Sequence, residues 1–480
     1  MEHTMHYDKI GRPTHQRVRH NGQTLYDKSY TWGDNLRLLR TFDTINRRSV
    51  RYDYDSFGSL SRAVYGDGSR QWRNPDLKGN VYDSPDRTDR NYGRGGQLRE
   101  DRKWRYYYDS HGNLVLKTMR RMEPSHNAKA RDEFLQWQSG DYAYTWQANG
   151  MLRSVTRPNG KTITFKYDAL GRRIEKVFDG RVYRYLWDGD VILHEWDYAE
   201  YDRPKTVVTE AGEVTLDRPE PIENLITWVY DSDSYIPTPK IVGDTHYSII
   251  SDYIGRPVLA YDDNGNIVWQ ADYDIYGNLR NLHGSRLFIP FRQLGQYEDE
   301  ETGLYYNRFR YYGPNTGTYI SQAPIGLAGN NPTLYGYVGD CNKWTDMFGL
   351  DMLALPAPTG KNPWESGEIV STTIPKGGLD IEMAMSPGQT RPGGWATTDK
   401  ITDVDFVRNK LAVTPEFKPE ISHVQKFHNP EGERFQIGTV RPQTDNGIIY
   451  EGGGNQIQIL IFEYRAKLEP IGKPRKIIYI

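Results

Sequence analysis

Tyr167-Asp168-Ala169-Leu170-Gly171-Arg172-Arg173 is the stretch that decides the fold of this chain. It joins two runs of alternating side chains. Before it stands Lys161-Thr162-Ile163-Thr164-Phe165-Lys166-Tyr167, in which Ile163, Phe165 and Tyr167 share one strand face. After it comes Arg181-Val182-Tyr183-Arg184-Tyr185-Leu186-Trp187, with the same period of two. Between the runs, Gly171 accepts positive φ at no steric cost, and Asp168 can hydrogen-bond its own backbone. Strand, tight turn, strand is the reading.

The theme Tyr-Asp-x-x-Gly recurs at Tyr7-Asp8-x-x-Gly11, Tyr54-Asp55-x-x-Gly58, Tyr108-Asp109-x-x-Gly112, Tyr261-Asp262-x-x-Gly265 and Tyr273-Asp274-x-x-Gly277. No copy follows Leu350, and only three of the 36 tyrosines do. The chain therefore divides into a repetitive scaffold and a non-repetitive tail. One hairpin cannot bury its own apolar face, so the repeats are expected to stack into a β-scaffold. The fold class read from the sequence is mainly β, with a small α+β domain at the end.

Gross composition sets limits on this reading. At 480 residues the chain can hold two or more domains. Hydrophobic content is 37%, and no apolar run approaches the roughly 18 residues of a membrane span. The opening MEHTMHYDKI has no apolar signal core, so secretion by a signal-peptide-independent route is expected. Net charge is -2, and the tail from Asp351 carries 15 Lys and Arg against 16 Asp and Glu. That balance argues against a predominantly nucleic-acid-binding surface. The single Cys341 excludes an intrachain disulfide framework and a multi-cysteine zinc site.

These motifs resemble the YD repeats of the Rhs and teneurin-like family. The resemblance sharpens over Gly295–Tyr312 (GQYEDEETGLYYNRFRYY), Gly317–Leu327 (GTYISQAPIGL) and Tyr335–Val338 (YGYV), which look like the Rhs-associated core. It implies a hollow β-shell enclosing a variable C-terminal toxin, although the scaffold here is shorter than the family's usual shell. It also implies delivery by a bacterial secretion system such as type VI, action in the target-cell cytoplasm, and a cognate immunity protein. The organisation read is 1–290 YD-repeat scaffold, 291–350 Rhs-associated core, 351–362 linker and 363–480 toxin domain.

The family pattern at the end of the core is DPxxxxDPxGL, cut after the last Leu. Here the segment reads Asp340-Cys341-Asn342-Lys343-Trp344-Thr345-Asp346-Met347-Phe348-Gly349-Leu350. Asp340 and Asp346 match the two carboxylates. Two carboxylates brought close can share one proton and act as a general acid and base pair. Cys341 and Met347 replace both prolines, and Ala323 stands where an upstream Asp is usual. Self-cleavage between Leu350 and Asp351 is expected by resemblance, and the competing reading makes Asp340 and Asp346 turn residues.

In the tail, strands are read near Gly367–Ile374, Leu379–Met385, Glu420–Phe427, Arg434–Val440 and Gln456–Phe462, with a helix over Asp403–Leu411 capped by Thr402. Nucleophile elbows, P-loops and paired metal ligands are not found. Two constellations carry chemistry. In the first, Arg391 can grip a pyrophosphate, and Trp395 offers a stacking face before Thr397 and Thr398. In the second, Gly452-Gly453-Gly454-Asn455-Gln456-Ile457-Gln458 places Gln456 and Gln458 on one strand face, with Ile457 and Ile459 on the other.

Together these resemble NAD-consuming toxins of the ADP-ribosyltransferase-like group, including NAD glycohydrolases with a GGGxQ segment. The resemblance implies NAD as substrate, no cofactor and no metal. Arg391, Trp395, Thr397, Thr398, Gly453 and Gly454 would then bind NAD, and Gln456 and Gln458 would act at the ribose. No Glu-x-Glu is present, which favours hydrolysis over transfer to a protein or RNA acceptor. Two alternatives stand beside this reading. His423, Lys426 and His428, with Glu420 and Glu433, could form an RNase-type site, or the tail could be an inactive interaction remnant.

Overall fold

The computed structural model of the chain describes residues 2–9, 11–33, 37–122, 128–231, 234–326, 333–350, 353–354, 370–390, 392–415, 417–431, 434–445, 447–459, 465 and 467–478. Two compact units emerge, Met1–Pro358 and Thr359–Ile480. The division falls inside the linker read from the sequence.

The first unit is built from antiparallel neighbours in sequence order. One sheet has seven strands from Glu2–Tyr7 to Arg70–Trp72, and a second has 16 from Asn91–Tyr92 to Leu279–His283. Between its strands lie the short helix Ala128–Phe134 and the excursion hairpin Thr206–Val208/Val214–Leu216. Ile163 and Phe165 are buried between exposed Thr162, Thr164 and Lys166, as the alternation predicts.

The repeat motif has one local cause. In the Asp168 turn, Oδ1 accepts the N–H groups of Leu170 (2.9 Å) and Arg172 (2.8 Å), and Gly171 sits at φ 74°. Asp109 does the same for His111 and Asn113, and Asp274 for Tyr276 and Asn278. A carboxylate that satisfies two orphan donors fixes the turn, and a Cβ would be strained at the glycine.

The tyrosine of the motif has a longer reach. Tyr54, Tyr108, Tyr167 and Tyr273 donate their hydroxyls to the carbonyls of Leu38, Leu98, Leu152 and Pro257, all at the start of the preceding strand. Trp146 and Trp187 fill the same place with their indole N–H, on Leu114 and Arg173 carbonyls. Each ring thus buries apolar surface and spends its one donor.

The stretch after the repeats forms a four-stranded sheet, Tyr297–Asp299, Leu304–Asn307, Arg310–Gly313 and Thr318–Tyr319, whose tyrosines enter the repeat cores. Arg173 bolts the two layers together. It is fully buried, pairs with Asp299, and lies 4.5 Å from the ring centre of Tyr306 and 4.9 Å from that of Tyr185. A buried charge held this way is costly to unpair.

The second unit packs two sheets. One is ordered Val370–Thr373, Arg434–Thr439, Asn455–Gln458, Trp395–Ala396, and the other Leu379–Met385, His423–Asn429, Glu469–Lys476. Ile381, Met383, Met385 and Phe427 meet Phe435, Ile457, Ile459 and Ala396 in the core between them. The helix expected over Asp403–Leu411 is a short π-type turn, Phe406–Lys410. The carboxylate ahead of it, not the Thr402 hydroxyl, meets its first amide. Asp403 Oδ1 accepts the Phe406 N–H at 2.7 Å, while the Thr402 hydroxyl is spent on the same carboxylate.

Candidate functional site

The triple glycine sets the position of the candidate site. Gly452 and Gly453 take φ of 72° and 83°, and a Cβ on Gly454 would lie 2.6 Å from the Lys410 carbonyl oxygen. Gly452 and Gly454 donate their N–H groups to Asn409 and Lys410, and Gly453 donates to Val440. The loop is thereby locked against the π-type turn, and these three amides are spent inside the protein. From this anchor the chain runs straight into Asn455–Gln458.

Strand register then decides which side chains meet. Gln458 is opposite both Trp395 and Gln436, Ile457 is opposite Ala396 and Ile437, and Gln456 is opposite Gly438. Directly paired residues project to the same face, so Trp395, Gln458 and Gln436 form one row. Ala396 and Ile457, from the alternate row, enter the core. Gln456 lies two residues from Gln458 on the face away from that core, as expected.

Burial is graded along this face. Trp395 is 37% exposed, Gln456 5% and Thr397 0%. Thr397 is fixed by its hydroxyl, which donates to the Asn455 carbonyl at 2.5 Å, and by backbone bonds in both directions with Glu382. Thr398 is exposed and its oxygen accepts from Asn455 Nδ2 at 3.1 Å. Arg391 lies outside the described residues.

Three residues were missed from the sequence. Gln436 is 2% exposed and joins the glutamine row. Asp399 accepts the Asn455 N–H at 3.1 Å and so holds the strand start. Arg465 lies against Gly394 and donates to the Ile459 carbonyl, placing a guanidinium one residue from both Trp395 and Gln458. Their only signal was strand pairing, which a single sequence does not display.

The histidine constellation resolves differently. Asp380 bonds His428 Nδ1 through one oxygen and Lys426 Nζ through the other, both at 2.9 Å. His428 first, then Lys426, hold the Asp380 carboxyl below its usual range. His423 pairs instead with the adjacent Ser422 hydroxyl at 2.8 Å. Glu420 is exposed, and Glu433 lies outside the described residues. Among the described residues no cluster of three His, Cys, Asp or Glu could hold a metal ion.

At the boundary, the two carboxylates have separate partners. Asp340 accepts the Asn342 N–H at 2.9 Å, and burial pushes its carboxyl up to about 6. Asp346 bonds the Arg310 guanidinium (3.1 Å), the Tyr319 hydroxyl (2.8 Å) and the Leu350 N–H (2.8 Å). Asp351 lies outside the described residues.

A family model described as Teneurin YD-shell matches residues 1–326. Double-stranded DNA deaminase toxin A of Burkholderia cenocepacia (strain H111) is 29% identical over 472 residues, covering 89% of this chain and 30% of that protein. Probable deoxyribonuclease RhsA of Dickeya dadantii (strain 3937) is 32% identical over 261 residues, covering 53% of this chain and 16% of that protein. The chain thus spans less than a third of the length of these relatives. Among solved structures, that of Tne2 in complex with Tni2 aligns with 24% of this chain and 99% of the other, at 21% identity and a TM-score of 0.22. No helix among the described residues is long and apolar enough to cross a membrane.

Proposed function

The chain belongs to the teneurin YD-shell family of Rhs-type YD-repeat proteins, and from that premise we propose that it is a polymorphic toxin whose tail, residues 363–480, cleaves the nicotinamide–ribose bond of NAD. The observation that carries this reading is the shared sheet face of Trp395, Gln456 and Gln458, with Thr397 bonded beside it to the Asn455 carbonyl. Cleavage of that bond builds an oxocarbenium-like centre, as glycoside cleavage does. The Gln456 carboxamide, held on a rigid strand, orients the ribose hydroxyls and meets developing charge with a fixed dipole. Trp395 supplies a ring face for nicotinamide, Thr397 and Thr398 line the pocket, and Arg391 takes the pyrophosphate. The polar row is amide rather than carboxylate, which favours water over a protein or RNA acceptor. Incubating the full chain with NAD and following nicotinamide release tests this; NAD left intact defeats it.

A second reading rests on the Asp380–His428–Lys426 contact. A carboxylate that orients an imidazole beside an ammonium is suited to general acid–base cleavage of RNA or DNA. Shortening of nucleic acid with NAD intact would select it. The H-x-E…P-C-x-x-C ligand set of zinc base deaminases has no counterpart here, because residues 351–480 contain no cysteine.

Secretion by a bacterial system, action inside a target cell and neutralisation by an immunity protein complete the proposal. So does self-cleavage after Leu350, with Asp340 in the proton-holding role and Asp346 charged beside Arg310.

A further inference from the structure

The excursion hairpin Thr206–Val208/Val214–Leu216 is a sheet of its own, and its strands pair with no other among the described residues. Every residue of both strands is exposed. Four of them are aliphatic, Val207, Val208, Val214 and Leu216, with Val208 68% and Val214 72% exposed. A lone hairpin is marginal in water, and an apolar ribbon with open edges is a template for another strand.

Register shows what each edge offers. Thr206 lies opposite Leu216, Val207 opposite Thr215 and Val208 opposite Val214. The Thr209 N–H donates to the Glu213 carbonyl, and the Asp217 N–H to the Lys205 carbonyl. Bonded pairs alternate along an antiparallel ladder, so 207/215 is bonded inward like 205/217 and 209/213. The N–H and C=O groups of Thr206 and Val208 therefore point outward along one edge, and those of Val214 and Leu216 along the other.

The two edges differ in charge. Pairing Val214–Leu216 antiparallel with its own copy about Thr215 sets Glu213 opposite Asp217, carboxylate against carboxylate, at both ends. Pairing Thr206–Val208 with its own copy about Val207 sets Thr206 opposite Val208 and Lys205 opposite Thr209, with no like charges facing. The outward groups of Thr206 and Val208 then meet each other across a two-fold axis. Val208, Val214 and Leu216 share one face of the hairpin, and this pairing continues that face into its equal.

We propose that the Thr206–Val208 edge is an interface between copies of this chain, the two hairpins pairing about Val207 into one continuous sheet. A second copy is the occupant because the edge complements itself in both hydrogen-bond pattern and charge.

The full chain is sedimented over a series of concentrations through the micromolar range, and a dimer whose share grows with concentration is expected. Val208→Pro removes an outward N–H and no bond within the hairpin, and should raise the dissociation constant at least about tenfold. Val214→Pro does the same to the opposite edge and should leave the dimer intact. Val207→Cys places a thiol on the two-fold axis, where facing residues of a pair without ladder bonds stand about 4.5 Å apart at Cα, within reach of a disulfide. Mild oxidation should link this variant into a covalent dimer on a non-reducing gel, and Thr215→Cys should not link. The native Cys341 is buried and does not compete. A chain that stays monomeric throughout overturns the proposal. So does a dimer that survives Val208→Pro, or oxidation that links Thr215→Cys as readily as Val207→Cys. Should Val208→Pro not fold, failure of Val207→Cys to link overturns it equally.

Discussion

Trp395 and Gln458 stand directly opposite one another in an antiparallel strand pair, and Gln458 has Gln436 as its other neighbour. An indole and two carboxamides therefore share one row across three strands. Nothing in the spacing of these residues along the chain announces that row. It exists because the glycine-locked strand Asn455–Gln458 runs between the other two.

Alanine at Gln456 or Trp395 should lower nicotinamide release by at least about tenfold, since lost preorganised dipoles and stacking act on the transition state. Arg391→Ala should fall with them. Chromatography of NAD and nicotinamide, with circular dichroism as a fold control, checks this. Full activity in all three variants would remove the proposed site.

His428→Ala should leave nicotinamide release unchanged and barely move the denaturation midpoint, because the Asp380–His428–Lys426 contact is solvent-exposed. If instead nucleic acid is the substrate, the same variant abolishes strand scission on a gel. The two outcomes separate the two readings in one preparation.

Gly454→Ala should destabilise the second unit by about 2 kcal/mol, because the new methyl meets the Lys410 carbonyl, which is backbone and cannot swing away. Gly453→Ala meets open space and should cost only about 1 kcal/mol, from its φ of 83°. Chemical denaturation should rank them in that order.

Asp340→Asn should raise the melting temperature at pH 7.5 and not at pH 4. The Asp340 carboxyl stands at about 6 in the folded chain against an ordinary 3.8. A carboxyl raised on folding binds its proton more tightly in the native state. Its stabilising contribution is present below pH 4 and is lost as pH climbs through about 6. The buried charge then costs on the order of 3 kcal/mol at neutral pH. Equal melting gains at both pH values would contradict this.

The repeat turns were legible because their chemistry is local. Asp168, Gly171 and the two amides they serve lie within five residues. The tyrosine hydroxyls were not, since Tyr167 finds its acceptor, the Leu152 carbonyl, a full strand away. In the tail, Leu379–Met385 was read to its bounds because Ile381, Met383 and Met385 alternate into the core. Glu469–Lys476 was missed because Pro470 and Pro474 argue against a strand. The structure places it at a sheet edge, where a missing N–H is tolerated. The hairpin Gln443–Asp445/Ile448–Tyr450 was also missed, although Gly447 at φ 78° marks its turn. In the candidate site, the glutamine pair was legible from its period of two, and Gln436 and Arg465 waited on register.

The sixteen-strand sheet keeps its strands in chain order, and apart from the step over the hairpin Thr206–Val208/Val214–Leu216 each is bonded to the strand before it. Such a ribbon closes only short loops as it grows, so it can zip up on the ribosome one hairpin at a time. Each new strand then meets a finished edge, so pairing never has to wait for a segment far away in the chain.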